Sequence, residues 1–227
     1  MKFQYVHPWS LAPREAVALQ DELRGRLRLT GKLAMDDLSL VAGADVSFHR
    51  ATNTVFAAVV VLSYPRLETV EMATAVREAD FPYVPGLLAF REGPALEEAF
   101  ASLRNVPRAV LFDGHGIAHP RGMGIACHFG LILGCPTVGV AKSLLVGGGE
   151  DPGPEPGDSS PLEYKGKVVG ILLRTRRRVK PVYVSVGYGL DLDAAKDLVL
   201  RCLKGYRLPE PTRLAHIESN RLRLEHV

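Results

Sequence analysis

Ala109 to Phe112 reads Ala-Val-Leu-Phe, an uninterrupted apolar run that ends abruptly in Asp113 and a glycine-punctuated loop, Gly114, His115 and Gly116, before Gly122 opens a helix-like pattern. An apolar run this short, bounded by turn residues, suits a strand buried on both faces, as in a sheet with parallel strands covered by helices. The acid then sits at the carboxyl end of a core strand, the edge where open α/β sheets gather their ligands. Taken alone, Asp113-Gly114 is also a common turn dipeptide. Two phosphate-loop patterns are excluded by counting. The G-x-G-x-x-G pattern begun by Gly114 and Gly116 has His119 in its third glycine position, and Gly139 to Lys142 lacks an adjacent Gly-Lys.

At 227 residues with 47% hydrophobic content the chain is expected to be one α/β domain spanning 1–227. No apolar run approaches the ~20 residues of a membrane span, and the N-terminus lacks the charged-then-apolar pattern of a signal peptide. A cytoplasmic monomer with no membrane association is the expectation. Three cysteines, Cys127, Cys135 and Cys202, form no C-x-x-C and no zinc pattern, and read as small core residues. The formal charge of +3 is unevenly spread. Residues 1–173 carry 16 Lys and Arg against 19 Asp and Glu, whereas residues 174–227 carry 12 against 6. The surplus in the last quarter fits a polyanion footprint.

Pro13 suits a first helical position, and Ala16, Leu19, Leu23 and Leu27 follow at helical spacing. Three β-rich runs come next, Leu40 to Phe48, Thr54 to Leu62 and Leu67 to Val76, with links short enough for antiparallel hairpins. Asp45 lies in the middle of the first run, where an unpartnered carboxylate is costly. It either faces solvent on a polar side shared with Gly43 and Ser47, or meets Asp113 from a neighbouring strand over a shared divalent cation.

Phe81 to Gly86 holds Tyr83 between Pro82 and Pro85, a stiff loop. A short helix over Leu87 to Arg91 and a second starting near Pro94 would place Glu92 at a helix C-terminus, where the dipole disfavours negative charge by roughly 0.3 to 1 kcal/mol and a nearby cation would reverse the penalty. Cys135 to Ala141 reads as another buried strand, delivering Lys142 and Ser143 to the edge that carries Asp113. That lysine is either solvated or placed to meet a phosphate.

Gly147 to Pro161 is rich in Gly and Pro and is expected to be a flexible surface loop. Val168 to Arg174 and Pro181 to Val186 resume as a hairpin whose turn carries Arg176, Arg177, Arg178 and Lys180, a solvated tip or a track for a nucleic-acid backbone. Two helices close the chain. The first is Leu192 to Leu203. The second follows Pro209-Glu210-Pro211 with Thr212 as N-cap and Leu214, Ile217, Leu222 and Leu224 as its apolar stripe. His216 falls about 160° from Leu214, outside the core stripe, and faces either solvent or a cleft.

Three consecutive strands followed by helix, strand, helix and strand, with acids on the first and fourth strands, describe a ribonuclease H-like mixed α/β sheet, antiparallel at its start and parallel after. Five segments in order, VAGADVSF, FPYVPGLLAFREGP, LFDGHGIAHPRGMGIACHFG, PTVGVAKS and PEPTRLAHI, make the chain similar to endonuclease V, the repair nuclease of deaminated bases, over nearly its whole length. The resemblance implies that Asp45 and Asp113 are the metal-binding carboxylates, with Glu92 and His216 completing the active site. It implies that Tyr83 is a wedge entering the duplex beside the lesion, and that Gly86, Arg91, Gly114, Gly116, His119 and Lys142 fall in segments lining the lesion pocket and scissile backbone. It assigns no role to His115.

The implied activity is Mg²⁺-supported hydrolysis, with Mn²⁺ able to substitute, of the second phosphodiester 3′ to a hypoxanthine, in double- or single-stranded damaged DNA, leaving 3′-hydroxyl and 5′-phosphate ends. Such chemistry needs an activated water and charge neutralisation on the phosphate oxygens, which carboxylate-held metal and a lysine such as Lys142 provide. Two other expectations stand beside it: an inosine-specific ribonuclease, and a non-catalytic nucleic-acid-binding module, for which acids facing phosphates would have no use.

Overall fold

A computed structural model describes residues 1–226. Strands β1 (Leu40–His49), β2 (Thr54–Ser63) and β3 (Thr69–Glu78) form an antiparallel meander. β4 (Ala109–Phe112) adds beside β1 in parallel, and β5 (Thr137–Ala141) beside β4 in parallel. β6 (Ser159–Tyr164), β7 (Lys167–Leu173) and β8 (Val182–Tyr188) complete the sheet in antiparallel fashion. The eight strands run in the order β3-β2-β1-β4-β5-β8-β7-β6. This is the expected mixed sheet.

Alternation along the central strands feeds two apolar layers. Val41, Val60, Leu111 and Val138 pack against α4 (Leu192–Arg201) and α5 (Glu210–Glu225). Ala42, Val59, Val110 and Phe112 pack against α2 (Leu88–Ser102) and α3 (Ile125–Leu133). Helix α1 (Pro13–Arg24), with Pro13 at its first turn, caps the second layer through Ala16 against Phe90 and Leu23 against Met123. Cys127 and Cys202 are buried, Cys135 is half-buried, and all three are free thiols. Among the described residues no helix is long and apolar enough to cross a membrane.

Three local expectations are corrected. The two helices expected around Glu92 are one, α2, with Pro94 inside it. A mid-helix proline loses one hydrogen bond and crowds the preceding Cβ. Gly93 has no Cβ, and the Trp9 ring fills the space beside it, so the helix continues. Second, β6 begins inside the Gly147 to Pro161 segment, and its Pro161 is tolerated because β6 is an edge strand. Arg174 also ties that segment down, donating to Asp151 Oδ2 at 2.7 Å and Pro152 O at 2.9 Å.

Third, α5 starts at Glu210, two residues before the expected cap. Thr212 is buried in its first turn with its hydroxyl donating to Pro209 O. Of the expected stripe Leu222 is buried, but Ile217 and Leu224 are exposed. The packed face is Thr212, Ala215, Ser219 and Leu222. The cause is close approach: a side chain at Gly43 on β1 would collide with the Pro211 and Thr212 backbone, so only small residues fit between helix and strand.

Candidate active site

The parallel register of β1 and β4 sets Ala44 opposite Phe112, and the Asp113 N–H donates to Ala44 O at 2.9 Å. Asp45 and Asp113 therefore leave neighbouring strands at the same level. The face that Asp45 shares with Gly43 and Ser47 is not open to solvent, because α5 covers it. Ser47 Oγ donates to Ser219 O at 2.6 Å, and Ser219 Oγ donates to Asp45 Oδ2 at 2.5 Å. One turn earlier on α5, His216 Nδ1 lies 3.1 Å from Asp45 Oδ2 and 3.9 Å from Asp113 Oδ2. His216 is the cleft-facing histidine of the two alternatives, steadied by Asn220, whose Nδ2 donates to His216 O at 2.8 Å.

Lys142, just past β5, places Nζ 3.1 Å from His216 Nδ1 and in ion-pair contact with Asp113 Oδ2. That oxygen is buried, and the Lys142 ammonium is its closest cationic contact among the described residues. Burial, then the nearby Asp45 carboxylate, push the Asp113 carboxyl up to about 6, against the pull of Lys142 and His216. One ligand atom from each of Asp45, Asp113 and His216 lies within 4.8 Å of the other two. Two crowded, largely buried carboxylates and an imidazole make a donor set that fits a divalent cation.

Glu92 is outside that tight trio. It lines the same cavity as Asp113, and burial followed by repulsion from Asp45 and Asp113 pushes its carboxyl up to about 8. Its reluctance to ionise arises from burial and like charge. The helix-dipole penalty expected from sequence does not apply, because Glu92 is the fifth residue of α2 and not its last.

The cavity, about 220 Å³, opens from the acids toward Tyr83, Gly86, Leu88, Ile125 and Leu145. Tyr83 is 69% exposed at its rim. Gly86, Gly114 and His119 also line it. His119 Nδ1 accepts from the backbone N–H of Arg121 and of Met123, both at 3.3 Å, and burial pushes the ring down to about 4, so it is a neutral imidazole. Arg121 in turn donates to Gly86 O at 2.5 Å and Gln20 Oε1 at 2.6 Å, fixing the loop that carries Tyr83.

Of the residues expected to line the lesion pocket and scissile backbone, Lys142 stands at the acids, and Arg91 and Gly116 are also outside the cavity wall. Arg91 points away from it, donating to Phe81 O at 2.5 Å and Asn53 Oδ1 at 2.7 Å with its guanidinium over the Phe48 ring. Gly116 is packed beneath it, where a side chain would strike Val186. Part of the C-terminal positive charge is paired within the segment, Arg201 with Asp197, Arg213 with Glu210, and Arg221 with Glu218 and Glu225, while the surplus over the local acids remains.

Sequence reasoning missed Ser219, Asn220 and the apolar cavity walls Leu88, Ile125 and Leu145. The spacing of Ser219 and Asn220, three and four residues beyond His216, was the available signal. His115, given no role, also lines the cavity. Burial pushes its ring down to about 4, against the pull of the Ser143 backbone.

A family model described as endonuclease V matches residues 21–217. A curated endonuclease V of Gloeobacter violaceus is 49% identical over 221 residues, covering 96% of this chain and 89% of that protein. The crystal structure of the Bacillus subtilis endonuclease V superposes with a TM-score of 0.95 at 33% identity, covering 100% of this chain and 98% of that one. Ciona intestinalis endonuclease V, solved in complex with a 24mer DNA containing an inosine followed by a ribo-adenosine, superposes with a TM-score of 0.82 at 27% identity, covering 94% and 98%.

Proposed function

The chain belongs to the endonuclease V family, and from that premise we propose that it is a metal-dependent DNA repair endonuclease that recognises deoxyinosine and hydrolyses the second phosphodiester bond 3′ to it, leaving 3′-hydroxyl and 5′-phosphate ends. The observation that carries the reading is the convergence of Asp45, Asp113 and His216 beside a cavity walled by apolar side chains, glycine backbone, Glu92 and two neutral histidines. The inosine-containing DNA bound by the Ciona protein supports the substrate class.

Asp45 and Asp113 are the residues to hold the cation, with His216 beside them. Mg²⁺ is the expected ion and Mn²⁺ a substitute. When bound, such an ion neutralises phosphate charge and lowers the pKa of its water. Ser219 keeps the Asp45 carboxylate turned toward the site. Lys142, adjacent to both Asp113 and His216, supplies positive charge where the phosphate charge develops. His216 is placed to orient water or pass a proton. Glu92 reaches the same space from α2.

An extruded base fits the cavity behind these groups, between apolar walls and backbone, with Tyr83 filling the space it leaves in the duplex. Extrusion costs a few kcal/mol, less at a mispaired base, which itself favours the lesion. The ribo-adenosine after the inosine in the Ciona complex favours a second reading, inosine-containing RNA as substrate. Labelled deoxyinosine duplex, deoxyinosine single strand and inosine RNA, each with Mg²⁺, Mn²⁺ or EDTA, decide between them. Metal-dependent cutting of the DNA at the stated bond is expected. Silence on all three removes the nuclease reading.

A further inference from the structure

A groove of about 530 Å³ adjoins the cleft, with His119 in the wall of both. It runs between the end of α1, the Pro120–Gly122 loop and the turn from β6 to β7. Leu27, Leu29, Ile117 and Val169 contribute apolar surface, while Arg24, Arg121, Lys165 and Lys167 supply its charge; among the described residues no carboxylate lines it. None of these four cations has a carboxylate partner among the described residues, unlike the paired arginines of the C-terminal quarter. Arg121 directs its donors at Gln20 and Gly86, which leaves its charge uncompensated.

The turn itself is informative. Lys165 has φ 51° and Gly166 φ 71°, the two positive values of the tight hairpin class that favours Asn-Gly or Asp-Gly. A lysine there costs backbone energy and holds its ammonium beside the half-buried Tyr164 ring, 5.1 Å from the ring centre. Apolar surface, one aromatic ring and an unopposed cationic rim are the features of a single-stranded nucleic-acid track.

We propose that this groove binds the sugar-phosphate backbone of the lesion-bearing strand next to the extruded base, with Arg24, Lys165 and Lys167 contacting phosphates. The inference rests on the deoxyinosine reading above. The three side chains are exposed and lie outside the cavity that holds the acids, so their removal leaves the fold and the metal centre intact.

The test is equilibrium binding of inosine-containing single strands to the full chain across a salt series, for wild type, Lys165→Ala/Lys167→Ala, Arg24→Ala, and Arg201→Ala as a control already paired to Asp197. On single strands the log–log salt slope falls by about 0.7 for each phosphate that is no longer neutralised. The lysine pair is expected to flatten the slope by ~1.4 and Arg24→Ala by ~0.7, with the control unchanged. Lengthening the strand on one side of the inosine is expected to raise affinity in wild type but not in the lysine pair. Wild-type slopes and length dependence in the groove variants overturn the groove while leaving the deoxyinosine reading intact. A wild type that ignores inosine, with slopes that still flatten in the variants, overturns that reading and keeps the groove as a general nucleic-acid track.

Discussion

Ser219 Oγ donates to Asp45 Oδ2 at 2.5 Å while the backbone carbonyl of the same serine accepts from Ser47 Oγ at 2.6 Å, so α5 is tied to β1 at the acid and two residues beyond it. The bond sets which way the carboxylate faces, and a buried carboxylate deprived of a donor bears an uncompensated desolvation cost. Ser219→Ala is expected to cost ~1–3 kcal/mol of stability. Turnover is expected to fall several-fold while Ser47 still holds the helix. Urea unfolding and single-turnover cleavage measure the two effects; unchanged values for both mean that the bond does not position Asp45.

Asp45→Ala and Asp113→Ala are expected to reduce cleavage by roughly 100-fold or more, since charge neutralisation by a held cation is worth several kcal/mol. Both proteins are expected to remain folded, because each acid is crowded by the other and Asp113 is already pushed up to about 6. Cleavage assays with Mg²⁺ and far-UV circular dichroism check the pair. Near-normal turnover in either variant contradicts the metal assignment.

Tyr83 and Arg91 separate a contact role from a supporting one. Tyr83 is 69% exposed, so Tyr83→Ala is expected to change stability by no more than ~0.5 kcal/mol while weakening inosine-duplex affinity. Arg91 holds Phe81 O and Asn53 Oδ1 from a buried position. Arg91→Ala is expected to cost about 2–3 kcal/mol, through loss of charged hydrogen bonds at the base of the Tyr83 loop. Thermal unfolding beside duplex titrations distinguishes them. A stable Arg91→Ala protein that no longer binds the base restores the pocket role expected from sequence.

What the sequence made legible follows its short-range signals. Alternation and apolar runs placed the β1–β2–β3 meander, β4 and β5 within a residue or two, and the acid at the end of β4 followed from the run that precedes it. His216 was placed off the core by its angle from a stripe that proved only partly buried; it borders the real packed face of Thr212, Ala215, Ser219 and Leu222, and the packing of α5 on β1 turns it toward Asp45. The same packing hid Ser219: a serine on a small-residue face has no hydrophobic signature, and Gly43 is what lets the helix come close enough. Pro94 misled because its cost is local, whereas Gly93 and Trp9, the latter distant in sequence, remove the objection. The Arg91 and Gly116 assignments came from resemblance of whole segments, which fixes neither the direction of the Arg91 side chain nor the packing of Gly116 against Val186.

Glu92 makes the metal-free protein's stability depend on pH in a particular window. Its carboxyl is pushed up to about 8 from an ordinary value near 4.5, so between those limits the folded protein keeps a proton that the unfolded chain releases. Stability therefore falls as pH rises across that window, the unfolded state binding fewer protons than the native one. His115 and His119 act the other way below pH 6.5: pushed down to about 4, they stay neutral in the fold while the unfolded chain charges, so stability rises with pH from about 4 to 6.5. His7 and His128, lowered by burial, act in the same direction; the histidine contribution fades as pH rises past 6.5, and above about 7 Glu92 dominates, acting against stability until its own proton is lost near pH 8. Asp113 adds to the fall only up to about 6. Urea unfolding of metal-free wild type is expected to show stability declining between about pH 7 and 8, and Glu92→Gln, which mimics the protonated acid, is expected to flatten that limb. Saturating Mn²⁺ is expected to flatten it as well, because positive charge beside Asp45 and Asp113 relieves the repulsion that holds the proton on Glu92, and Mn²⁺ affinity should climb over the same interval as protons cease to compete. A declining limb that persists unchanged in Glu92→Gln assigns the pH dependence to another group and removes Glu92 from electrostatic contact with the two aspartates.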